Sequence, residues 1–173
     1  MGDGSKIIIK RLAFYWISSF LLATGFYYFL WTLMPKHIVF AAWFRMLRFS
    51  YHWLHPIQYI LIPCFFYGII ATFISDIFRK KNVLGQVYLT LVIIIVTIIL
   101  SSPFGGMLWY YHDMQTGYFP TNWFDTMTTK GFSEGIEIGW LIVGLSIPYN
   151  IFGSVICYFL TKKGSVLFKT TVE

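Results

Sequence analysis

The chain is poor in charged residues. Of its 173 residues only 12% are Asp, Glu, Lys or Arg, whereas 57% are hydrophobic. A soluble domain carries roughly 25% charged residues and about 45–50% apolar ones, so the composition excludes an ordinary soluble globular domain. Aromatic residues make up 21% of the chain, which excludes an intrinsically disordered protein as well, because disorder goes with few aromatic residues. The composition is that of an integral membrane protein.

Cysteine is also scarce, and familiar catalytic motifs are missing. Cys64 and Cys157 are the only two cysteines, which is too few for a disulfide framework. We expect two free thiols, near opposite faces of the bilayer, each packed as a small apolar residue. The sequence has no phosphate-binding glycine loop, no Gly-x-Ser-x-Gly elbow, no Cys-x-x-Cys pair and no His-Glu-x-x-His motif. It therefore carries none of these recognisable catalytic signatures.

Four long apolar runs predict four transmembrane helices. Their predicted bounds are residues 12–34, 57–78, 83–102 and 136–160. At 1.5 Å per residue each run is long enough to cross a hydrocarbon core of about 30 Å. Backbone groups in lipid must be hydrogen-bonded within the segment, which requires helices. The sequence predicts an all-α integral membrane protein: one domain, a four-transmembrane-helix bundle with amphipathic and aromatic outer segments and a tight loop between the second and third helices.

The cationic residues predict the orientation in the membrane. With both termini inside, nine Lys and Arg residues are cytoplasmic: Lys6, Lys10, Arg11, Arg79, Lys80, Lys81, Lys162, Lys163 and Lys169. Four are outside: Lys36, Arg45, Arg48 and Lys130. The positive-inside rule then predicts a multi-pass protein of the cytoplasmic membrane with a cytoplasmic tail at residues 161–173. Because these charges flank apolar runs, the net charge of +6 indicates topology, and no nucleic-acid partner is expected.

The first outer segment, residues 38–55, has the pattern of an amphipathic helix. Arg45, Arg48, His52 and His55 recur at spacings of three, four and three residues, which places them on one stripe of a helix. We expect the stripe to contact lipid phosphates and water while the aromatic residues around it anchor at the headgroups. The alternative is an inward-facing cationic site for an anionic ligand or a protein partner.

The second outer segment, residues 103–135, is rich in aromatic residues. Pro103, followed by Gly105 and Gly106, predicts that the third helix breaks at its outer end and that residues 107–115 continue as a tilted helix. A solvated loop does not carry so many aromatic residues, so we expect an aromatic cap over the outer end of the bundle. The cap is either a lid or plug over a ligand cavity or a docked cover with no ligand beneath it.

Outer histidines suggest an alternative metal or haem site. His52 and His55 are three residues apart on one helical face, and His112 with Asp113 lies in the other outer segment. Imidazole and carboxylate groups can bind zinc or copper, and histidine can bind haem. Neither a Cys ligand pair nor a dense histidine cluster supports this hypothesis.

The fourth predicted span contains the most informative polar residues. Pro148 and Asn150 lie near its middle and predict a kink, with the Asn side chain bonding a freed backbone group or a neighbouring helix. The alternative is a substrate or ion contact at a broken helix. Gly135 and Gly139 form a small-xxx-small pair, which favours close helix contact. Asp76, beside Arg79 and Lys80, is expected to form an ion pair or to snorkel to the inner interface.

Three hypotheses of function follow. The first is a small non-enzymatic membrane protein, an accessory subunit or regulator of a membrane complex, whose partners are the lipid bilayer and another membrane protein or a second copy. The second is an outer-face metal- or haem-binding redox protein. The third is a small channel or transporter with the mid-membrane site at Pro148 and Asn150. The third requires an oligomer, because four helices with few polar residues leave little to line a pathway.

Overall fold

The computed structural model describes residues 3–33, 55–116, 120–141 and 149–168, and these residues are almost all helical, without a strand among them. The helices are α1 (Asp3–Leu33), α2 (His55–Lys80), α3 (Val83–Thr116), α4 (residues 123–141) and α5 (Tyr149–Leu167). Within α4, two stretches are π-helical, Met127–Gly131 and Gly135–Gly139. The predicted all-α class is confirmed.

Three of the described helices are long and apolar enough to cross a membrane: Ser5–Leu30, Ile57–Lys80 and Val83–Gln115. They correspond to the first three predicted spans. Helix α1 begins earlier than predicted, at Asp3, because the basic residues before residue 12 are good helix formers. The fourth predicted span, 136–160, is shared between α4 and α5, and residues 142–148 lie outside the described part of the chain.

The turn between α2 and α3 is as tight as predicted. Only Lys81 and Asn82 separate the two helices. The Asn82 side-chain oxygen accepts a hydrogen bond from the Gly85 backbone N–H at 3.0 Å, so Asn82 caps the start of α3. Helices α2 and α3 are therefore antiparallel neighbours.

The predicted break at Pro103 is wrong. Helix α3 runs without interruption from Val83 through Pro103, Gly105 and Gly106 to Thr116. Proline is tolerated inside long membrane helices where neighbouring helices support the backbone, and α4 packs closely against this stretch. Residues 103–116 are thus an extension of α3 rather than part of a loop, and the aromatic segment is helical on both sides of residues 117–119.

Two buried clusters form the core of the bundle. The inner cluster, which is nearer the end of the bundle at which α1 begins, contains Tyr15, Tyr67, Ala71, Ile93 and Leu160. The outer cluster contains Tyr27, Leu30, Ile60 and Cys64. Large apolar side chains are exposed along the outer surfaces of α1, α2 and α3, as expected where helices face lipid rather than water.

The two cysteines are free thiols, as predicted, but their placement at opposite membrane faces is wrong. Tyr67, one turn along α2 from Cys64, donates a hydrogen bond to the Cys157 backbone carbonyl at 3.2 Å. Helix α5 continues beyond residue 160 to Leu167, which moves Cys157 away from the inner end. Both cysteines therefore lie in the middle part of the bundle.

An ion pair joins three helices at one end of the bundle. The Arg11 guanidinium donates to both carboxylate oxygens of Asp76, at 2.7 and 3.0 Å, and also to the Phe168 backbone carbonyl. Arg79 lies 3.8 Å from Asp76, so the predicted pairing of Asp76 is confirmed. These contacts place the start of α1, the end of α2 and the end of α5 at the same end, here called the inner end.

Candidate functional site

An apolar groove opens between α1, α2, α3 and α4. Its volume is about 500 Å³, within the range of roughly 300–1,000 Å³ that is typical of small-molecule sites. The lining residues are Trp16, Leu61, Ile62, Phe65, Phe66, Phe104, Met107, Leu108, Tyr111 and Met127. The groove is therefore large enough for a substantial part of a small hydrophobic molecule.

Helical periodicity builds the two main walls of the groove. On α2 the lining residues recur four apart, as Leu61 with Phe65 and Ile62 with Phe66, which is one face of a helix. On α3, Phe104 and Leu108 are also four apart. The Phe66 and Phe104 rings lie 5.4 Å apart between centroids, so they join the two walls.

A glycine brings α1 against α2 beside the groove. A Cβ added at Gly68 would lie 3.0 Å from Cβ of Trp16, which is tighter than ordinary packing. The missing side chain lets the two helices approach closely. Trp16 then lies edge-on to Phe65, with ring centroids 5.3 Å apart, and forms the α1 wall of the groove.

A buried histidine lies at the outer side of the groove. His112 is 1% exposed. Its Nε2 lies 2.8 Å from Oε1 of Gln58, and its Nδ1 lies 3.1 Å from the Tyr59 hydroxyl. A Gln carbonyl oxygen only accepts, so Nε2–H donates to Gln58 and, in the neutral ring, Nδ1 accepts from Tyr59. We call Gln58, Tyr59 and His112 the His112 cluster.

The His112 cluster lies one turn beyond the groove lining on α2 and α3. Gln58 lies one turn before Leu61 and Ile62 on α2, and His112 lies one turn after Leu108 on α3. Residues three and four apart share a helix face, so the cluster and the groove lining lie on the same faces of α2 and α3. The site is an apolar groove with a polar group at its outer end.

Helix α4 packs backbone to backbone against α3. A Cβ at Gly135 would lie 2.7 Å from Cα of Pro103, and one at Gly106 would lie 2.6 Å from Cα of Gly135. At Gly139 an added Cβ would lie 3.2 Å from the Ser102 side chain. The predicted close contact of Gly135 and Gly139 is confirmed, and Gly131 extends the same stripe. This packing holds Met127 at the groove.

The structure places only part of the predicted sites. Arg45, Arg48, His52 and Pro148 lie outside the described residues, and His55 is the first residue of α2. No group of three or more His, Cys, Asp or Glu residues that could hold a metal occurs in the described ranges. The metal and anion hypotheses for the first outer segment stay predictions.

The metal hypothesis also includes His112 and Asp113 as ligands. These two side chains have different environments. Asp113 is exposed whereas His112 is buried. Both ring nitrogens of His112 contact Gln58 and Tyr59, so in this arrangement neither is directed at a shared ion with Asp113. The histidine anchors α3 to α2.

Asn150 lies in the first turn of α5. Its backbone carbonyl accepts a hydrogen bond from the Ser154 hydroxyl at 2.7 Å. The preceding residue, Tyr149, donates from its hydroxyl to the Ala23 backbone carbonyl at 3.2 Å. The start of α5 is thereby joined to α1, and the predicted kink at Pro148 lies outside the described residues.

Sequence reasoning missed the groove and the partners of His112. A signal existed for the partners, because Gln58 is an isolated amide near the outer end of an otherwise apolar helix. A signal for the α3 wall also existed in the spacing of Phe104, Leu108 and Tyr111. It was hidden by the expected break at Pro103, which would tilt residues 107–115 away from the axis of the third span.

Comparison with known proteins adds no relative. No protein-family model matches the chain, and no curated protein and no solved structure matches it significantly. The function is therefore argued from the geometry of the site alone.

Proposed function

We propose that the chain is a small, non-enzymatic, multi-pass membrane protein that acts by binding, as an accessory subunit or regulator of a membrane complex. It crosses the cytoplasmic membrane four times, with both termini in the cytoplasm. Its partner is another membrane protein or a second copy of the chain. The bilayer surrounds its apolar outer face.

Polar side chains that join one helix to another support a binding role. Cross-helix contacts link Arg11 with Asp76, Gln58 and Tyr59 with His112, Tyr67 with Thr161, and Gln86 with Tyr158. Acids, imidazoles and hydroxyls in these contacts hold helices together. Acid–base catalysis or a transmembrane ion path would need the same groups, which here are engaged in contacts between helices. This use of polar groups as helix anchors is the observation that carries the proposal.

The contacts of α4 and α5 support the fourth crossing. Gly139 packs on α3 near Ser102, and Thr161 contacts Tyr67 in the inner core cluster. Phe168 then reaches Arg11 at the inner end. These contacts support a fourth crossing between Gly139 and Phe168.

The test is purification from native membranes in mild detergent, followed by mass determination, a visible absorption spectrum and elemental analysis. We expect a colourless, metal-free complex that contains a second membrane protein or a second copy in fixed ratio. The variants His52→Ala and His112→Ala should retain that composition.

Two results would overturn the proposal. A Soret band or a stoichiometric metal that disappears in His112→Ala or His52→Ala would favour the redox hypothesis. A monomer without a partner, combined with solute flux in liposomes that Asn150→Leu abolishes, would favour a transporter. The redox and transporter hypotheses are thus each distinguished from the proposal by a measurement of their own.

A further inference from the structure

We propose that the groove and the His112 cluster form a binding site for a prenylquinone-type lipid. The unsaturated chain lies along the groove. The flat, uncharged head lies at the outer end, where one of its carbonyl oxygens accepts a hydrogen bond from the Gln58 amide. The proposal concerns binding and assigns no redox step to the protein.

The lining of the groove favours an unsaturated and flat ligand. Five of its side chains are aromatic and two are thioethers: Trp16, Phe65, Phe66, Phe104, Tyr111, Met107 and Met127. Aromatic rings favour other π systems in edge-to-face or offset contact, and sulfur makes favourable contacts with rings. A saturated chain gains only burial of apolar area from such a lining. Double bonds and a conjugated ring gain more.

The hydrogen bonds of His112 orient the amide of Gln58. Because the Gln58 carbonyl oxygen accepts from His112 Nε2 at 2.8 Å, its NH₂ group points away from the imidazole. Gln58 is exposed, whereas His112 beneath it is buried. An exposed amide donor is therefore held in a fixed direction at the outer end of the groove. In this site His112 is a positioning residue.

The donor is uncharged, which decides the kind of head group. Phosphate and carboxylate groups are bound most strongly by charged donors such as arginine and lysine. A neutral amide matches a neutral carbonyl acceptor. A quinone carries such carbonyls on a flat ring, and the Tyr111 ring, which lines the groove and lies 5.7 Å from the His112 ring between centroids, brings the aromatic lining next to the His112 cluster. A phospholipid would place a charged phosphate there instead.

The experiment uses the full chain in nanodiscs of synthetic phosphatidylcholine, titrated with a short-chain prenylquinone. Quinones quench tryptophan fluorescence on contact, so the signal from Trp16 reports occupancy. It is isolated as the difference between the wild-type chain and Trp16→Phe. We expect saturable quenching in the wild type. A quinol dimethyl ether of the same chain length lacks carbonyls, so at equal concentration it should not displace the quinone, and the quenching of Trp16 should persist.

Two substitutions test the amide donor. Gln58→Leu removes the whole amide, and Gln58→Glu keeps an acceptor for His112 while replacing the donor, so it controls for folding. Loss of one neutral hydrogen bond should weaken prenylquinone binding by up to about tenfold in each variant. The matched control is Gln86→Leu at the inner end, away from the groove, which removes an amide that contacts the Lys81 backbone carbonyl at 3.1 Å and the Tyr158 hydroxyl at 3.3 Å. We expect its affinity to equal that of the wild type.

Three results would overturn the proposal. The first is quenching that rises linearly with quinone concentration, as in simple partition into lipid. The second is equal affinity of the wild type, Gln58→Leu and Gln58→Glu. The third is a phospholipid that stays bound in native mass spectrometry and that excess quinone does not displace. Because the assay uses the isolated chain, these outcomes do not depend on whether a protein partner exists.

Discussion

At the scale of single residues, Arg11 shows how a charge is accommodated inside this bundle. Its side chain is 6% exposed, and the Asp76 carboxylate accepts two hydrogen bonds from it. A buried charge is tolerated when it is paired and hydrogen-bonded, and loss of one partner is costly because the other charge stays behind. The ion pair therefore joins α1 to α2 at the inner end.

Substitution of Asp76 tests this assignment. Asp76→Asn should lower the free energy of unfolding by about 2–3 kcal/mol, because the Arg11 guanidinium loses its charged acceptor. The measurement is thermal or denaturant unfolding in detergent, followed by circular dichroism. The control is Glu137→Gln, an exposed carboxylate whose oxygen accepts from Ser133 at 3.3 Å. That variant should stay within about 0.5 kcal/mol of the wild type. Equal stability of both variants would contradict a structural role for the ion pair.

Glycine contacts give a second test at this scale. Gly135→Ala would place a Cβ 2.7 Å from Cα of Pro103, and a backbone atom cannot move aside as a side chain end can. We expect a loss of about 1–3 kcal/mol from overpacking, measured as the free energy of unfolding. Gly153 on α5 has no atom within 4 Å of an added Cβ. Gly153→Ala should therefore stabilise the protein by about 0.5–1 kcal/mol, since Ala is the better helix former. A destabilising Gly153→Ala would refute this reading.

At the scale of helices, α3 shows what the sequence could and could not predict. Its apolar run from 83 to 102 was sufficient to predict a membrane helix. Local rules then failed at Pro103, Gly105 and Gly106, because these residues weaken a helix in isolation, whereas Pro103 and Gly106 pack closely against Gly135 of α4. Whether the helix breaks or continues at Pro103 depends on its contact with α4, which local sequence rules do not include. The missed groove wall follows from that error, whereas the missed partners of His112 depend on the contact between α3 and α2.

Pro103→Ala tests the continuity of α3. If the helix already runs through this residue, replacing the proline leaves the helix content unchanged, and the far-ultraviolet ellipticity should equal that of the wild type. If proline ended the helix, as the sequence alone predicts, alanine would lengthen it and the ellipticity would rise. A rise in ellipticity at equal protein concentration would thus contradict the continuous helix. Ser102→Thr, at the neighbouring residue, is the control for nonspecific repacking.

At the scale of the whole molecule, the arrangement of charges and helix ends predicts the orientation. The contacts among Arg11, Asp76 and Phe168 place both ends of the described chain at the same end of the bundle. The α2–α3 turn at Lys81 lies at that end as well. This end carries most of the Lys and Arg residues, so it should face the cytoplasm. The distribution of Lys and Arg along the sequence predicts which end of the bundle is cytoplasmic. The helix contacts explain why both ends of the described chain lie at that end.

Cysteine labelling in whole cells tests the orientation. In a chain with Cys64→Ser and Cys157→Ser, we introduce single cysteines by Lys81→Cys and Asn122→Cys, both at exposed positions. A membrane-impermeant maleimide should label Asn122→Cys in intact cells, because that residue lies at the outer end before α4. Lys81→Cys should react only after the membrane is opened. The reverse pattern would place the basic end outside and contradict the positive-inside argument. Labelling of both positions in intact cells would show that α2 and α3 do not span the bilayer, since the two residues lie at opposite ends of α3.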